Sequence, residues 1–99
     1  MSIDSQNFTI QNGDDYTIVF RNFDQNGNKL MLSNYTFIWV INTPIPIYKT
    51  SGNINLNEID IILSSMDTNG LKGSYNHVLT VYDFNNKKYT LSKGVVTFI

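Results

Sequence analysis

Leu63-Ser64-Ser65-Met66-Asp67-Thr68-Asn69-Gly70-Leu71-Lys72-Gly73-Ser74-Tyr75 is the stretch whose reading decides the fold. An apolar strand end gives way to a run of turn-forming residues, and Tyr75 then opens a long alternating strand. A polar turn run between two strand-like runs is how a Greek-key sandwich carries the chain from one sheet to the other. Downstream, Tyr75, His77, Leu79 and Val81 share one face of a strand over residues 74–83, and Val78, Thr80 and Tyr82 share the other. Asn85-Asn86 turns the chain, Tyr89-Thr90-Leu91 returns, and Lys93-Gly94 reads as a kink or bulge before Val95 to Ile99. Within the turn run itself, one helical turn fits near Ser65 to Asn69.

Upstream, Ile59, Ile61 and Leu63 define the inner face of Ile59-Asp60-Ile61-Ile62-Leu63. Thr36-Phe37-Ile38-Trp39-Val40-Ile41 is apolar on both faces, which predicts a central strand with its second face also covered, and makes Trp39 the core anchor. Pro44 and Pro46 each remove a ladder donor, so the chain through Ile47 is an irregular crossover or an edge, with weak pairing expected over Lys49 to Ser51. Tyr16, Ile18 and Phe20 alternate with Thr17, Val19 and Arg21 in the period of a half-buried strand. Asn26-Gly27 marks a hairpin tip from which Lys29-Leu30-Met31-Leu32 returns. Phe8-Thr9-Ile10 is a short first strand, stopped by Asn12-Gly13-Asp14-Asp15. About seven short strands and no sustained helical period predict an all-β fold, a single antiparallel immunoglobulin-like sandwich over residues 1–99. Residues 1–6 are expected as a flexible arm.

Composition narrows the function. A chain of 99 residues holds one core and little room for a deep catalytic cleft. With 15% charged residues and a net charge of −1 there is no basic field for phosphates, so nucleic acid is not an expected partner. No cysteine is present, which removes disulfides, thiolate nucleophiles and thiolate metal sites together. No segment reaches the roughly 20 apolar residues of a spanning helix, and Met1 to Asn7 has neither a basic start nor an apolar run. A soluble protein without a secretion signal or a membrane partner is expected.

The chemistry-bearing residues do not assemble into a catalytic constellation. His77 is the single histidine and sits mid-strand among apolar neighbours, the setting of a buried or interface histidine. Ser64, Ser65 and Ser74 lack the context of an activated nucleophile. Asp24-Gln25-Asn26-Gly27-Asn28 echoes a calcium loop, but the sixth position is Lys29 where Gly is needed and the twelfth is Tyr35 where a bidentate Glu is needed. Asp14, Asp15 and Asp67 are the remaining candidates for a weak loop site. The other acids fall in turns, where solvation explains them, so no paired-carboxylate chemistry is expected. A non-enzymatic protein without a cofactor or metal follows as the expectation. Six Tyr, six Phe and one Trp exceed what a small core hides, so some of Tyr35, Tyr48, Tyr75, Tyr82 and Tyr89 are expected at the surface. There they could serve a protein interface or a sugar platform.

The order of these motifs resembles the N-terminal immunoglobulin-like domain of phage baseplate upper proteins and related tailed-phage virion modules. The matching features are Asn12-Gly13-Asp14 leading into Tyr16 to Phe20, the Asp24 to Gly27 hairpin, and Leu32-Ser33-Asn34-Tyr35-Thr36 at the start of the third strand. They continue with Gly73-Ser74-Tyr75 and with Thr90-Leu91, Gly94 and Val95 to Ile99. The chain departs from that pattern at Pro44 and Pro46, and a small standalone component, without a following fibre, coiled coil or receptor-binding head, is expected. The resemblance implies a virion structural protein made in the bacterial host cytoplasm and docked in many symmetric copies on other virion proteins. The expected role is head decoration on the major capsid protein, with a tail or baseplate adaptor as the alternative. A carbohydrate-binding module is the alternative of a different class. Phe8 and Ile10 on the short first strand, and Pro44, Ile45, Pro46, Ile47 and Tyr48 in the proline-broken segment, are the candidate partner-binding residues, because a free monomer would expose them.

Overall fold

The computed structural model describes residues 4–99 of the chain. Nine strands and one helical turn follow in the order β1 (Asp4–Ser5), β2 (Phe8–Ile10), β3 (Tyr16–Arg21), β4 (Thr36–Ile41), β5 (Ile47–Lys49), β6 (Asn53–Asn55), β7 (Glu58–Leu63), α1 (Ser65–Thr68), β8 (Gly73–Tyr82) and β9 (Lys88–Phe98). One sheet runs β1-β9-β8-β4-β5 with β2 also on β9, and the other runs β3-β7-β6. The pairs β4 with β8, β8 with β9 and β3 with β7 are antiparallel. This is the strand order of an immunoglobulin-like sandwich, with one central trio, β4, β8 and β9, facing a second trio, β3, β7 and β6.

The count exceeds seven because the terminal edge is broken in two and because β5 and β6 are three-residue strands. The terminal edge is also the departure from a purely antiparallel arrangement. Asp4↔Ser92 and Phe8↔Val96 pair in parallel along one side of β9. Of the flexible arm expected over residues 1–6, residues 1–3 lie outside the described residues, whereas Asp4–Ser5 are paired and the Gln6 amide donates to the Lys93 carbonyl at 3.0 Å.

The core lies between the sheets. Phe20, Trp39, Ile41, Ile59, Ile61, Leu63, Leu79, Val81 and Val96 are all fully buried. Phe20, Trp39, Ile59, Ile61, Leu63, Leu79 and Val81 occupy the inward positions read from the sequence, and Ile41 and Val96 join them, since alternate residues of a strand point to opposite faces. Phe20 meets Trp39 edge-on across the two sheets, with centroids 5.4 Å apart. Burial of apolar surface on this scale is the main stabilising contribution of so small a domain.

Several local features differ from expectation. The irregularity in β9 falls opposite Leu79 and Thr80, where Leu91 is the extra residue between the pairs Leu79↔Ser92 and Thr80↔Thr90; pairing runs straight through His77↔Gly94. The bulge explains why Leu91 and Ser92 are both buried in succession. Lys29 to Leu32 makes a single bridge, Phe23↔Lys29, rather than a strand. There the Asp24 carboxylate accepts from the Asn26 and Asn28 amides, a local ring that turns the chain without a ladder. The second face of β4 is covered only in part: Ile38 and Val40 are partly buried on the outside of the larger sheet.

The turn run behaves as read. Ser64 caps α1 in a reciprocal box with Asp67, and the Thr68 hydroxyl accepts from the Gly13 amide at 2.9 Å. That contact fastens the crossover between sheets to the β2–β3 turn.

Candidate functional site

The surface richest in unexplained apolar groups surrounds β5. Beyond Ile41, the Thr43 side chain is buried and its hydroxyl donates to the Ile45 carbonyl at 2.7 Å, bending the chain back on itself. Pro44 and Pro46 supply no amide donors and sit in the loop over residues 42–46, and the ladder between β4 and β5 begins at Ile41↔Ile47 and continues through Val40↔Tyr48. The result is a projecting hairpin. Lys49 at its foot donates to Asp67 Oδ2 at 2.7 Å, tying β5 to α1. Burial works against the Asp67 carboxylate, but hydrogen bonds from Lys49 and Ser64 outweigh it and hold its pKa below the ordinary value. With Asp67 so engaged and the Asp15 carboxylate accepting from the Ser65 amide, two of the three acids of the suspected loop site serve the turn itself. Among the described residues no group of three or more His, Cys, Asp or Glu could hold a metal ion.

The seven candidate residues separate into two groups. Pro44, Ile45 and Pro46 are exposed, with Ile45 at 86%, and Tyr48 is 65% exposed. These, with Ile47, line a groove of about 470 Å³ against Asp67, Asn69 and Leu71. Ile47 itself is half-buried against the core. Phe8 and Ile10 do not belong with them, which corrects the expectation for the first strand. Ile10 is 1% exposed in the core, and Phe8 packs edge-on against Phe20 at 5.8 Å and beside His77 at 5.2 Å. Their strand is shielded because its inward register is closed over by β3 and β4.

His77 is fully buried, with both ring nitrogens in use. The Trp39 indole donates to Nδ1 at 3.0 Å, and Nε2 lies 2.7 Å from the Gln6 carbonyl oxygen. An indole can only donate and a carbonyl can only accept, so the ring is neutral with its proton on Nε2. Burial holds its pKa below the usual histidine value, against the opposing effect of the Gln6 carbonyl.

A second and larger groove, about 670 Å³, opens on the other side of Tyr48, where residues 49–53 cross from one sheet to the other. Thr17, Asn53, Asp60 and Ile62 line it. Sequence reasoning passed over this place because its walls come from three separate segments. One signal was visible: Ile62 is apolar at an outward register of β7, and it is 66% exposed. Among the five tyrosines considered for the surface, Tyr48 is the one that stands out; Tyr35, Tyr75 and Tyr89 pack partly on the core.

No protein-family model matches this chain, and no curated protein matches it. Among solved structures, a sialyltransferase from Photobacterium damsela is similar at a TM-score of 0.46 and 14% identity. The match covers 98% of this chain and 18% of that chain, so the present chain spans less than a fifth of that enzyme's length. A likeness at this level carries no argument about activity. Among the described residues, no helix is long and apolar enough to cross a membrane.

Proposed function

We propose that this chain is a non-enzymatic docking module, a bacteriophage virion structural protein that decorates the head and binds the major capsid protein through the hairpin at residues 44–48. The single observation that carries the docking surface is Ile45, a large aliphatic side chain left 86% exposed at the tip of a hairpin whose backbone is held by Thr43 and the Lys49–Asp67 pair. A rigid apolar knob of this kind is what a complementary pocket on a larger protein covers. The virion assignment is supported by the resemblance of the turn and strand motifs, and the tail or baseplate adaptor remains its alternative within the same class.

Ile45 and Ile47 report on different things, so they are tested apart. Ile45→Ser is expected to leave unfolding stability within about 0.5 kcal/mol of wild type, as for an exposed site, and to abolish incorporation into assembled particles. Incorporation at wild-type copy number would overturn the docking surface. Quantitative mass spectrometry of purified virions separates head from tail: copies comparable to the major capsid protein mean decoration, and a small fraction of that number means an adaptor. Absence from the virion altogether, or hydrolysis of host glycans by the purified protein, would overturn the assignment itself.

A further inference from the structure

We propose that the groove between residues 49–53 and the outer face of β7 is a binding site for a neutral saccharide unit, with Tyr48 as its stacking platform and Asp60 as its principal hydrogen-bond acceptor. The groove exists because the crossover is held at a set height. Gly52 lies so close to β7 that a Cβ there would sit 2.4 Å from the Asp60 carbonyl oxygen and 3.0 Å from the Phe37 ring. Since β6 pairs with β7 only as far as Asn53↔Asp60, the strand beyond Asp60 has no paired neighbour on that side among the described residues. The open flank between the crossover and the Thr17↔Ile62 pair forms the cleft.

The lining selects the chemistry. Tyr48 and Ile62, both about two-thirds exposed, supply apolar surface, while Thr17, Ser51, Asn53 and Asp60 supply polar groups. Asp60 Oδ1 is buried with no hydrogen-bond partner among the described residues. A carboxylate oxygen in that state calls for a donor. An anionic ligand would meet the Asp60 charge, and the nearby Lys49 ammonium is already committed to Asp67 at 2.7 Å. A metal ion lacks a ligand set among the described residues. A wholly apolar ligand would leave Oδ1 without a donor. A pyranose combines a C–H face, which packs on a tyrosine ring, with several hydroxyl donors. Oδ1 is shielded in the free protein, so binding requires the carboxylate to rotate about its broad terminal torsion and bring Oδ1 to a ligand hydroxyl.

Tyr48 lines both grooves, whereas Ile45 belongs only to the docking hairpin and Thr17, Asp60 and Ile62 only to this cleft, so Ile45→Ser tests docking alone and Asp60→Ala tests the saccharide site alone. The test is a titration of isotope-labelled protein with the methyl glycosides of glucose, galactose and N-acetylglucosamine into the millimolar range, followed by amide chemical shifts. The expected result is saturable shifts confined to residues 48–53, Thr17 and Ile62 for at least one glycoside. Tyr48→Ala should weaken that binding by roughly 3- to 10-fold, the range of a single ring contact. Asp60→Ala should weaken it similarly, and Asp60→Asn, which keeps an acceptor oxygen, should weaken it less. No saturable shift with any of the three, or binding unchanged in Tyr48→Ala, would overturn the proposal. So would shifts at these amides produced by an extended peptide and not by the glycosides.

Discussion

At position 77 a histidine with no solvent exposure accepts from Trp39 on one nitrogen and donates to Gln6 on the other. Burial disfavours the charged ring and holds the folded pKa below the ordinary value of 6.5, and an added proton would also place a second N–H against the Trp39 indole N–H. The unfolded chain takes up the proton as pH falls through that value while the folded chain does not. Stability is therefore fully present above it and lost below it, with a slope of at most about 1.4 kcal/mol per pH unit for one proton. Paired carboxylates such as Asp67 act in a separate window, because a lowered carboxylate pKa costs stability only as pH falls through values below its ordinary 3.8. Urea unfolding between neutral pH and about pH 5 should show the histidine slope, and His77→Gln, with one donor and one acceptor, should remove it. Equal stability across that range in the wild type would show that the Trp39–His77 bond does not control protonation.

The terminal edge strand depends on one close approach. At Gly94 an added Cβ would sit 1.9 Å from the Gln6 carbonyl oxygen and 2.7 Å from its carbon, and both are backbone atoms with little room to yield. The absence of a side chain there lets β1 and β2 lie against β9, lets the Gln6 carbonyl reach His77, and lets Asn7 Oδ1 accept from the Val95 amide at 2.9 Å. Gly94→Ala should therefore push the terminal strand away, at a cost of about 1 to 3 kcal/mol typical of overpacking. Hydrogen exchange should show faster exchange at Gln6 and Val95, with the amides between β4 and β8 far less affected. A variant as stable as wild type, with those two amides still protected, would show that the strand accommodates the methyl group. The sequence marked Gly94 as special but suggested a kink, because a glycine's reason lies in what approaches it, and here that is a segment 88 residues earlier.

For the molecule as a whole, stability rests on the single layer of side chains between the two sheets, in which Phe8, Phe20, Trp39 and His77 form one aromatic cluster. Trp39→Ala should cost about 3 to 5 kcal/mol, a large share of the 5 to 15 kcal/mol available to a small domain. Thermal and urea transitions should shift down together and lose amplitude; an unchanged cooperative transition would mean that the two sheets do not depend on this contact. Strand positions and inward faces were legible in the chain itself, at Ile18 and Phe20, Ile59 and Ile61, Leu79 and Val81, because a period of two is a local property of neighbouring residues. The helical turn at Ser65–Thr68 was legible for the same reason, since its cap and its acid lie three residues apart. The exposed Ile45 hairpin could be foreseen from its two prolines, whereas the burial of Phe8 and Ile10 depended on β9 accepting a parallel partner. The groove beside Tyr48 and the neutral state of His77 likewise arise between residues distant in the chain. The sequence by itself determined the long alternating strands and their inward faces; only the tertiary structure decided that residues 29–32 make a single bridge, that residues 4–5 pair along β9, and what each face meets, because periodicity is set by adjacent backbone and contact is set by the packing of remote segments.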